Sequence, residues 1–326
     1  MSDSTGPTRD TAVDAATKTF AGYRELLFSV VYNMLGSVAD TEDVLQDTWL
    51  SWAARSAEED AEEVANPRAY LVRIAVNAAL ARQAAISRRR ETYVGPWLPE
   101  PLVGGDAVTA PDPAGAAADP ADPVLRHESV SLALLVILET LTPLERAVFV
   151  LNEVFGYAHT EIADILDRSP SAVRQLAHRA REHVRARRPR YRADPRVQQQ
   201  VTERFLAAAL GGDLDSLMEI LTSDVTLWTD GGGKSRTTVA LRPIKGREKV
   251  ARVLASAAWR RQAPDFGIRY RTVNGDPSAL LFSGDEPFGV MVLDLTPDGD
   301  RVAGIYAVTN PDKLTHVDEP PSHESF

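Results

Sequence analysis

The chain has 326 residues, a formal net charge of −10 and no cysteine. That length supports two or three separately cored domains, and the lack of cysteine excludes disulfides and thiolate metal sites and fits a reducing compartment. The N-terminal MSDSTGPTRDTAVDAATK has no apolar core of a signal peptide, and no apolar run approaches the length of a membrane span, so a cytoplasmic protein with no membrane partner is expected.

Taken in order, residues 1–17 read as a disordered leader. From Phe20 the apolar positions Tyr23, Leu26, Leu27, Val30, Val31, Met34 and Leu35 predict an amphipathic helix ended by Gly36. A second helix is expected with Asp40 or Thr41 as its cap and Val44, Leu45, Thr48, Trp49 and Trp52 as its inner stripe. After the acidic stretch 56–65, Asn66-Pro67 starts a third helix that runs to about Arg90. Its pattern turns Tyr70, Leu71, Ile74, Ala75, Ala78 and Leu80 inward and Arg68, Arg73, Asn77 and Arg82 outward. Residues 91–126 are rich in Pro, Ala and Gly and read as a flexible linker. Within it, Trp97-Leu98-Pro99-Glu100-Pro101-Leu102-Val103 is an apolar knot that either docks in a groove or packs on the helix before it.

The stretch 156–192 predicts two short helices around a turn at Arg168-Ser169-Pro170-Ser171. Ile162, Ile165 and Leu166 form the inner stripe of the first, and Val173, Leu176, Ala177 and Ala180 that of the second. Asp167 stands at the turn, where a left-handed conformation is needed and Asp is tolerated better than most residues. Residues 168–192 hold nine arginines against one acid, Glu182. A solvated helical hairpin would show mixed charge, whereas this sign bias is a phosphate-binding footprint inside an acidic protein. Ser171, Arg174, Gln175 and His178 lie at helical spacing on the N-terminal turns, where a major-groove helix reads base edges. Arg179, Arg181 and the following arginines suit backbone phosphate.

After residue 193 two helices, 195–211 and 214–221, precede strand-like runs at 225–230, 237–241, 266–273, 279–282, 288–295 and 302–308, with a helix near 249–259 between them. This is an α+β arrangement enclosing a cone-shaped cavity. Asp230 is the candidate buried carboxylate, with Trp228, Trp259, Tyr270 and Tyr306 as candidate pocket walls. Proton abstraction would need a partner acid or base, and the segment offers only His316 and His323, late in the tail. Gly231-Gly232-Gly233-Lys234 lacks the spacing of a phosphate loop and reads as a tight hairpin.

Two blocks carry a family resemblance. GSVADTEDVLQDTWLSW with NPRAYLVRIAVNAALARQAAISRRRE resembles region 2 of the extracytoplasmic-function group of bacterial sigma factors, and TLTPLERAVFVLNEVFGYAHTEIADILDRSPSAVRQLAHRARE resembles their region 4. The C-terminal block, through GDLDSLMEILTSDVTLWTDGGGK, resembles SnoaL-like members of the NTF2-like superfamily, which includes cyclases and isomerases. WLPEPLV, DGGGK and Asn310-Pro311-Asp312-Lys313-Leu314 resemble the signature segments of sigma factors that carry this extension. The implied fold is multidomain: a region 2 helical bundle (18–93), a linker (94–126), a region 4 helix-turn-helix (127–192), and an α+β cone-shaped regulatory domain (193–326).

The resemblance implies core RNA polymerase and promoter DNA as partners. Asp40, Asp43, Gln46 and Asp47 would meet polymerase, and Asn66, Arg68, Arg73, Asn77 and Arg82 the minus-ten element. Ser171, Arg174, Gln175, His178, Arg179 and Arg181 would meet the minus-thirty-five element. Trp97, Leu98, Pro99, Asp230, Gly231, Gly232, Gly233, Lys234, Asn310, Pro311, Asp312, Lys313 and Leu314 would form a regulatory junction that replaces a separate anti-sigma factor. No catalytic residue, metal or cofactor is expected, and an unidentified small ligand in the cone is a further candidate. The alternative is a helix-turn-helix regulator with a ligand-sensing or weakly enzymatic NTF2-like domain.

Overall fold

A computed structural model describes residues 9–58, 64–106, 130–186, 194–236, 240–256 and 266–317. They fall into two compact units, one of residues 9–88 and 139–184, the other of residues 89–106, 130–138 and the chain from 185 onward. No described helix is long and apolar enough to cross a membrane.

The first unit is helical. α1 (Arg9–Leu35) begins well inside the stretch expected to be a leader. Ala16 is buried there, and its carbonyl accepts from the Trp52 indole at 3.0 Å, which ties the early turns down. Gly36, at φ 69°, ends α1 by donating its N–H to the Tyr32 carbonyl, as a left-handed cap does. α2 (Val38–Ser56) is capped by Ser37, not by Asp40 or Thr41, both of which are buried inside the helix. Val44, Leu45, Thr48 and Trp52 form its inner stripe as the spacing predicts, while Trp49 is only half-buried.

α3 (Pro67–Glu91) buries Leu71, Val72, Ala75, Val76 and Ala79. The buried face is therefore turned about one residue from the expected stripe, because Val72, Val76 and Ala79 continue it at helical spacing while Ile74, Ala78 and Leu80 sit at its margin. α5 (Pro143–Phe149) opens on a capping box between Thr142 and Glu145 and runs into a π-helical turn at Val150–Val154. α6 (His159–Leu166) and α7 (Pro170–Arg185) form the helix-turn-helix, burying Ile162, Ile165, Leu166, Val173, Leu176, Ala177 and Ala180. Residues 187–192, expected to extend the arginine run, lie outside the described residues.

The second unit is built on a seven-stranded sheet of order β1-β4-β5-β6-β7-β2-β3. The strands are β1 (Val103–Asp106), β2 (Leu221–Asp230), β3 (Ile244–Lys245), β4 (Phe266–Val273), β5 (Asp276–Ser283), β6 (Glu286–Leu295) and β7 (Val302–Val308). The β2–β7 pair is parallel and the rest antiparallel. The expected strand at 237–241 does not form over its described part; residues 237–239 and 257–265, Trp259 among them, lie outside the described residues, as does His323.

Both faces of this sheet are covered, and strand alternation decides which residue meets which cover. Ala279, Leu281, Met291, Leu293 and Ile305 pack with α8 (Pro195–Gly211), α9 (Leu214–Ile220) and α10 (Arg247–Ala255). Leu280, Phe282, Val290, Val292, Tyr306 and Val308 point the other way. They pack with Leu98 of the linker, Leu132 and Ala133 of α4 (Leu132–Leu138), and Leu314 and Val317 of the tail. The linker knot thus docks on a sheet rather than on α3, and its last residue, Val103, starts β1 against β4.

Asp167 adopts φ 52°, ψ 55°, so the turn of the helix-turn-helix carries a left-handed non-glycine residue. Asp167→Val is expected to lower stability by about 1–2 kcal/mol, whereas Asp167→Gly leaves it unchanged or higher. Urea midpoints at constant m-value read the difference.

Candidate functional site

Three segments distant in sequence meet at the end of β2. Asp230, its last residue, is fully buried, and its carboxylate accepts from the Tyr93 hydroxyl, from the Leu98 backbone N–H at 2.8 Å and from Lys313 Nζ at 2.8 Å. Lys313 also donates to the Leu98 carbonyl and stands 4.1 Å over the Trp97 ring and 5.3 Å from that of Tyr93. Asn310 donates from its amide to the Tyr93 oxygen at 2.8 Å, and its own side-chain oxygen accepts from the Asp312 N–H. The Thr309 N–H closes the junction on the Asp230 carbonyl at 2.7 Å.

Local sequence explains why the segments can meet. Gly231–Lys234 is a tight turn closed by Lys234 N–H to Gly231 O, with Gly232 at φ 56° and Gly233 at φ 73°. A Cβ at Gly232 would collide with the Asn310 amide and the Tyr93 hydroxyl, and one at Gly233 would press on Val94. Glycine is required at the first by backbone conformation and by space together. Lys234 pairs with Asp312 at the exposed rim. Pro311 opens a 3₁₀ turn over Pro311–Lys313 that aims Lys313 inward, while Leu314 is buried against the sheet. Pro99 is buried beside Leu98. All thirteen residues expected at the regulatory junction fall at or beside this place. Tyr93 was missed, although it stands four residues before Trp97.

The arrangement saturates the carboxylate instead of freeing it. Asp230 has the strand parity of Trp228, whose ring stacks on Tyr306 at 4.9 Å on the face covered by Leu98 and α4. It does not face α8–α10, and of the expected pocket walls among the described residues only Tyr270 packs on that side. Burial, then the hydrogen bond to Asp230 and the Asp230 charge, push the Tyr93 phenol far above the ordinary tyrosine range.

In the helical unit, α7 presents Ser171, Arg174, Gln175, His178 and Arg179 to solvent, with Arg181 half-exposed. Arg179 pairs with Glu145 at 3.1 Å and Arg181 with Glu153 at 3.5 Å. On α2, Asp43, Gln46, Asp47 and Leu50 are exposed along one stripe, and Leu50 is 51% exposed. Asp40 is not on that surface. It accepts from Arg82 Nε at 2.9 Å, and Arg82 also pairs with Asp43. Arg82 therefore turns toward α2 instead of outward as the helical pattern predicts. Of the other residues expected at the minus-ten element, Arg73 is exposed, Arg68 lies 5.5 Å over the Tyr157 ring, Asn66 accepts from the Ala69 N–H, and Asn77 donates to the Ile165 carbonyl at 3.0 Å.

Asp230→Asn leaves Lys313 buried without its counter-charge and is expected to cost about 3–5 kcal/mol of stability. The raised Tyr93 pKa acts at alkaline pH. The unfolded phenol ionises first as pH passes about 10, so stability is lost as pH climbs beyond that value. Tyr93→Phe should make this alkaline loss shallower, as read by urea midpoints between pH 8 and 11.

Comparison with known proteins places these features in one family. Residues 19–90 match Sigma-70 region 2, and residues 131–184 match Sigma-70, region 4. The chain is 35% identical to the ECF RNA polymerase sigma factor SigJ of Mycobacterium tuberculosis, across 91% of this chain and 92% of that protein. It is 31% identical to the ECF RNA polymerase sigma factor SigG of the same organism across 87% of this chain and 78% of that one. It is also 33% identical to the RNA polymerase sigma factor CarQ of Myxococcus xanthus across 54% of this chain and 91% of that one. The crystal structure of SigJ matches over 94% of this chain and 99% of that one, with a TM-score of 0.68 and 30% identity. The two helical regions, the sheet domain that follows them in the sequence and a relative aligned over nine-tenths of both lengths lead to one assignment: the chain belongs to the extracytoplasmic-function group of RNA polymerase sigma factors.

Proposed function

We propose that this chain binds core RNA polymerase through the exposed stripe of α2, reads promoter DNA with α3 and α7, and is regulated by its own C-terminal domain. The observation that carries the DNA reading is α7. Its apolar positions are all turned inward, and Arg174, Gln175 and His178 are left in solvent on one side, at the spacing a major-groove helix uses. Arg174 and Gln175 have the donors that recognise guanine and adenine edges, and Arg179 and Arg181 stand further along, where a helix meets phosphate. The α2 stripe of Asp43, Gln46, Asp47 and Leu50 offers polymerase an apolar anchor ringed by polar groups. A cytoplasmic site of action follows from this role.

The regulatory reading rests on the Asp230 junction. It ties the segment after α3 to the sheet, so whatever shifts the sheet domain shifts the chain that leaves region 2. A built-in regulator of this kind removes the need for a separate anti-sigma factor. The junction also argues for a non-catalytic domain, since the buried carboxylate is occupied by three donors and faces away from α8–α10.

Two measurements test the proposal. Arg174→Ala should lose about 1–3 kcal/mol of discrimination at one promoter position, whereas Arg179→Ala should weaken binding on all sequences and lower the salt slope by about one. Equal sequence effects from both would show that the division of α7 is wrong. Separately, removing residues 194–326 should change promoter-dependent transcription by core polymerase; unchanged output would exclude regulation by the extension.

A further inference from the structure

We infer that the cleft between the C-terminal tail and the start of β6 is a binding site for a small α-amino acid with an apolar side chain, and that its occupant acts on the Asp230 junction. The site itself is independent of the sigma assignment; its effect on transcription rests on the regulatory role proposed for the extension.

The cavity measures about 180 Å³, and its walls come from the segment after the Gly231–Lys234 turn, the start of β6 and the chain beyond β7, not from α8–α10. Pro287, Phe288, Pro311 and Leu314 give it an apolar lining. Phe288 and Leu314 are both buried, so the cores behind them fix two of these walls. A space of about 150 Å³ lined by apolar side chains takes up a benzene ring. This one therefore has room for a single ring or for a branched chain of similar size.

Chemistry at the rim narrows the occupant. Arg236 and Glu286 stand there as an ion pair, with side chains 65% and 68% exposed. A guanidinium carries five donors, and this one meets Glu286 through Nη1. Exposed pairs of this kind contribute little, so a ligand that offers each partner a counter-charge inserts between them readily. A lone carboxylate would meet Arg236 but face the like charge of Glu286, and a lone amine would meet Glu286 but face Arg236. A zwitterion keeps both pairings: its carboxylate takes the guanidinium in a two-point contact, and its ammonium takes the Glu286 carboxylate. With both charged groups on one carbon, the side chain of an α-amino acid is left to enter the apolar cavity.

The lining also ties the site to the junction. Thr309, one of its walls, donates its hydroxyl to the Asp230 carbonyl at 3.3 Å and accepts from the Ser235 hydroxyl at 3.0 Å. Pro311 and Leu314 stand at the two ends of the turn that carries Lys313, the counter-charge of Asp230. An occupant packed on them holds the tail in the conformation that the junction needs.

Titration calorimetry on the full-length chain tests the site. L-leucine should bind with a Kd of about 1 mM, in the range a ligand of this size reaches. Isocaproate, which lacks the ammonium, and isoamylamine, which lacks the carboxylate, should each bind about tenfold more weakly, as the loss of a charged hydrogen bond dictates. Arg236→Gln and Glu286→Gln, both at exposed positions that folding tolerates, should each weaken L-leucine by about the same factor. Thr315→Trp, at the exposed mouth, should abolish binding. Isocaproate binding as tightly as L-leucine, unchanged affinity in either glutamine variant, or no saturable heat at about ten times the expected Kd overturns the proposal. With core polymerase, saturating L-leucine should shift promoter-dependent output of the wild-type chain and not that of Arg236→Gln. Binding without that shift overturns the link to the junction. When removal of residues 194–326 is silent as well, it is the regulatory role of the extension that has failed, and the binding results alone decide the site.

Discussion

A carboxylate with no exposed surface and a lysine one-tenth exposed meet at the end of β2, and the second unit depends on that pair. Removing both charges from water is expensive, and their attraction offsets it only when the remaining hydrogen-bonding capacity is met. Here it is met by Tyr93, the Leu98 N–H and the Leu98 carbonyl. Satisfaction therefore requires three segments to arrive in one register, and a slip of one residue in any of them strands a charge. Once Leu98 is fixed by its backbone, its side chain falls on Leu280, Phe282 and Tyr306, and the same apolar face receives α4.

α4 alters how region 4 is understood. The match to that region begins at residue 131, so α4 is its first helix by sequence, yet Leu132 and Ala133 are buried with the sheet. The C-terminal domain thus holds a piece of the DNA-reading region as well as the linker. Under the proposed regulation, the extension would act on the chain at both of these points.

The helices and their inner stripes were legible because apolar periodicity is a local property. The left-handed turn at Asp167 was legible for the same reason, since cap chemistry needs only neighbouring residues. What spacing could not supply was the width of a buried face or the identity of a distant partner. α3 is turned toward Val72 and Val76, which depends on what packs against it. Arg82 reads as an outward residue on a helical wheel, but Asp40 and Asp43 approach it from α2, about forty positions away. β1 was hidden because four residues ending in Gly-Gly-Asp carry little strand signal without β4 beside them. The junction was legible only as a resemblance between short motifs, and Tyr93 was missed because nothing local marks it. The acidic balance of the chain has a use that composition hides: Glu145, Glu153, Asp40 and Asp43 are paired with arginines assigned to DNA. Where the carboxylate is in the open, as at Asp43 and Glu153, such a pair is worth about 0–1 kcal/mol, so a phosphate can displace it at small cost, whereas Asp40 and Glu145 are buried and hold their arginines more firmly.

The covering of the sheet also changes what the long linker is. β1, paired with β4, ends at Asp106, and Val130 stands just before α4, which packs on the same sheet, so both flanks of the Pro- and Ala-rich stretch are held by one sheet. The length of a stretch anchored in this way has little leverage, since doubling it adds only about 0.6 kcal/mol of closure entropy. The other covalent tethers are the few residues from the end of α3 to Tyr93 and residues 139–142 between α4 and α5, both short, and residues 186–194 between α7 and α8. Insertions in the Pro- and Ala-rich stretch would then leave the reach between the promoter-reading helices untouched, while a single residue added at either short tether would reset it.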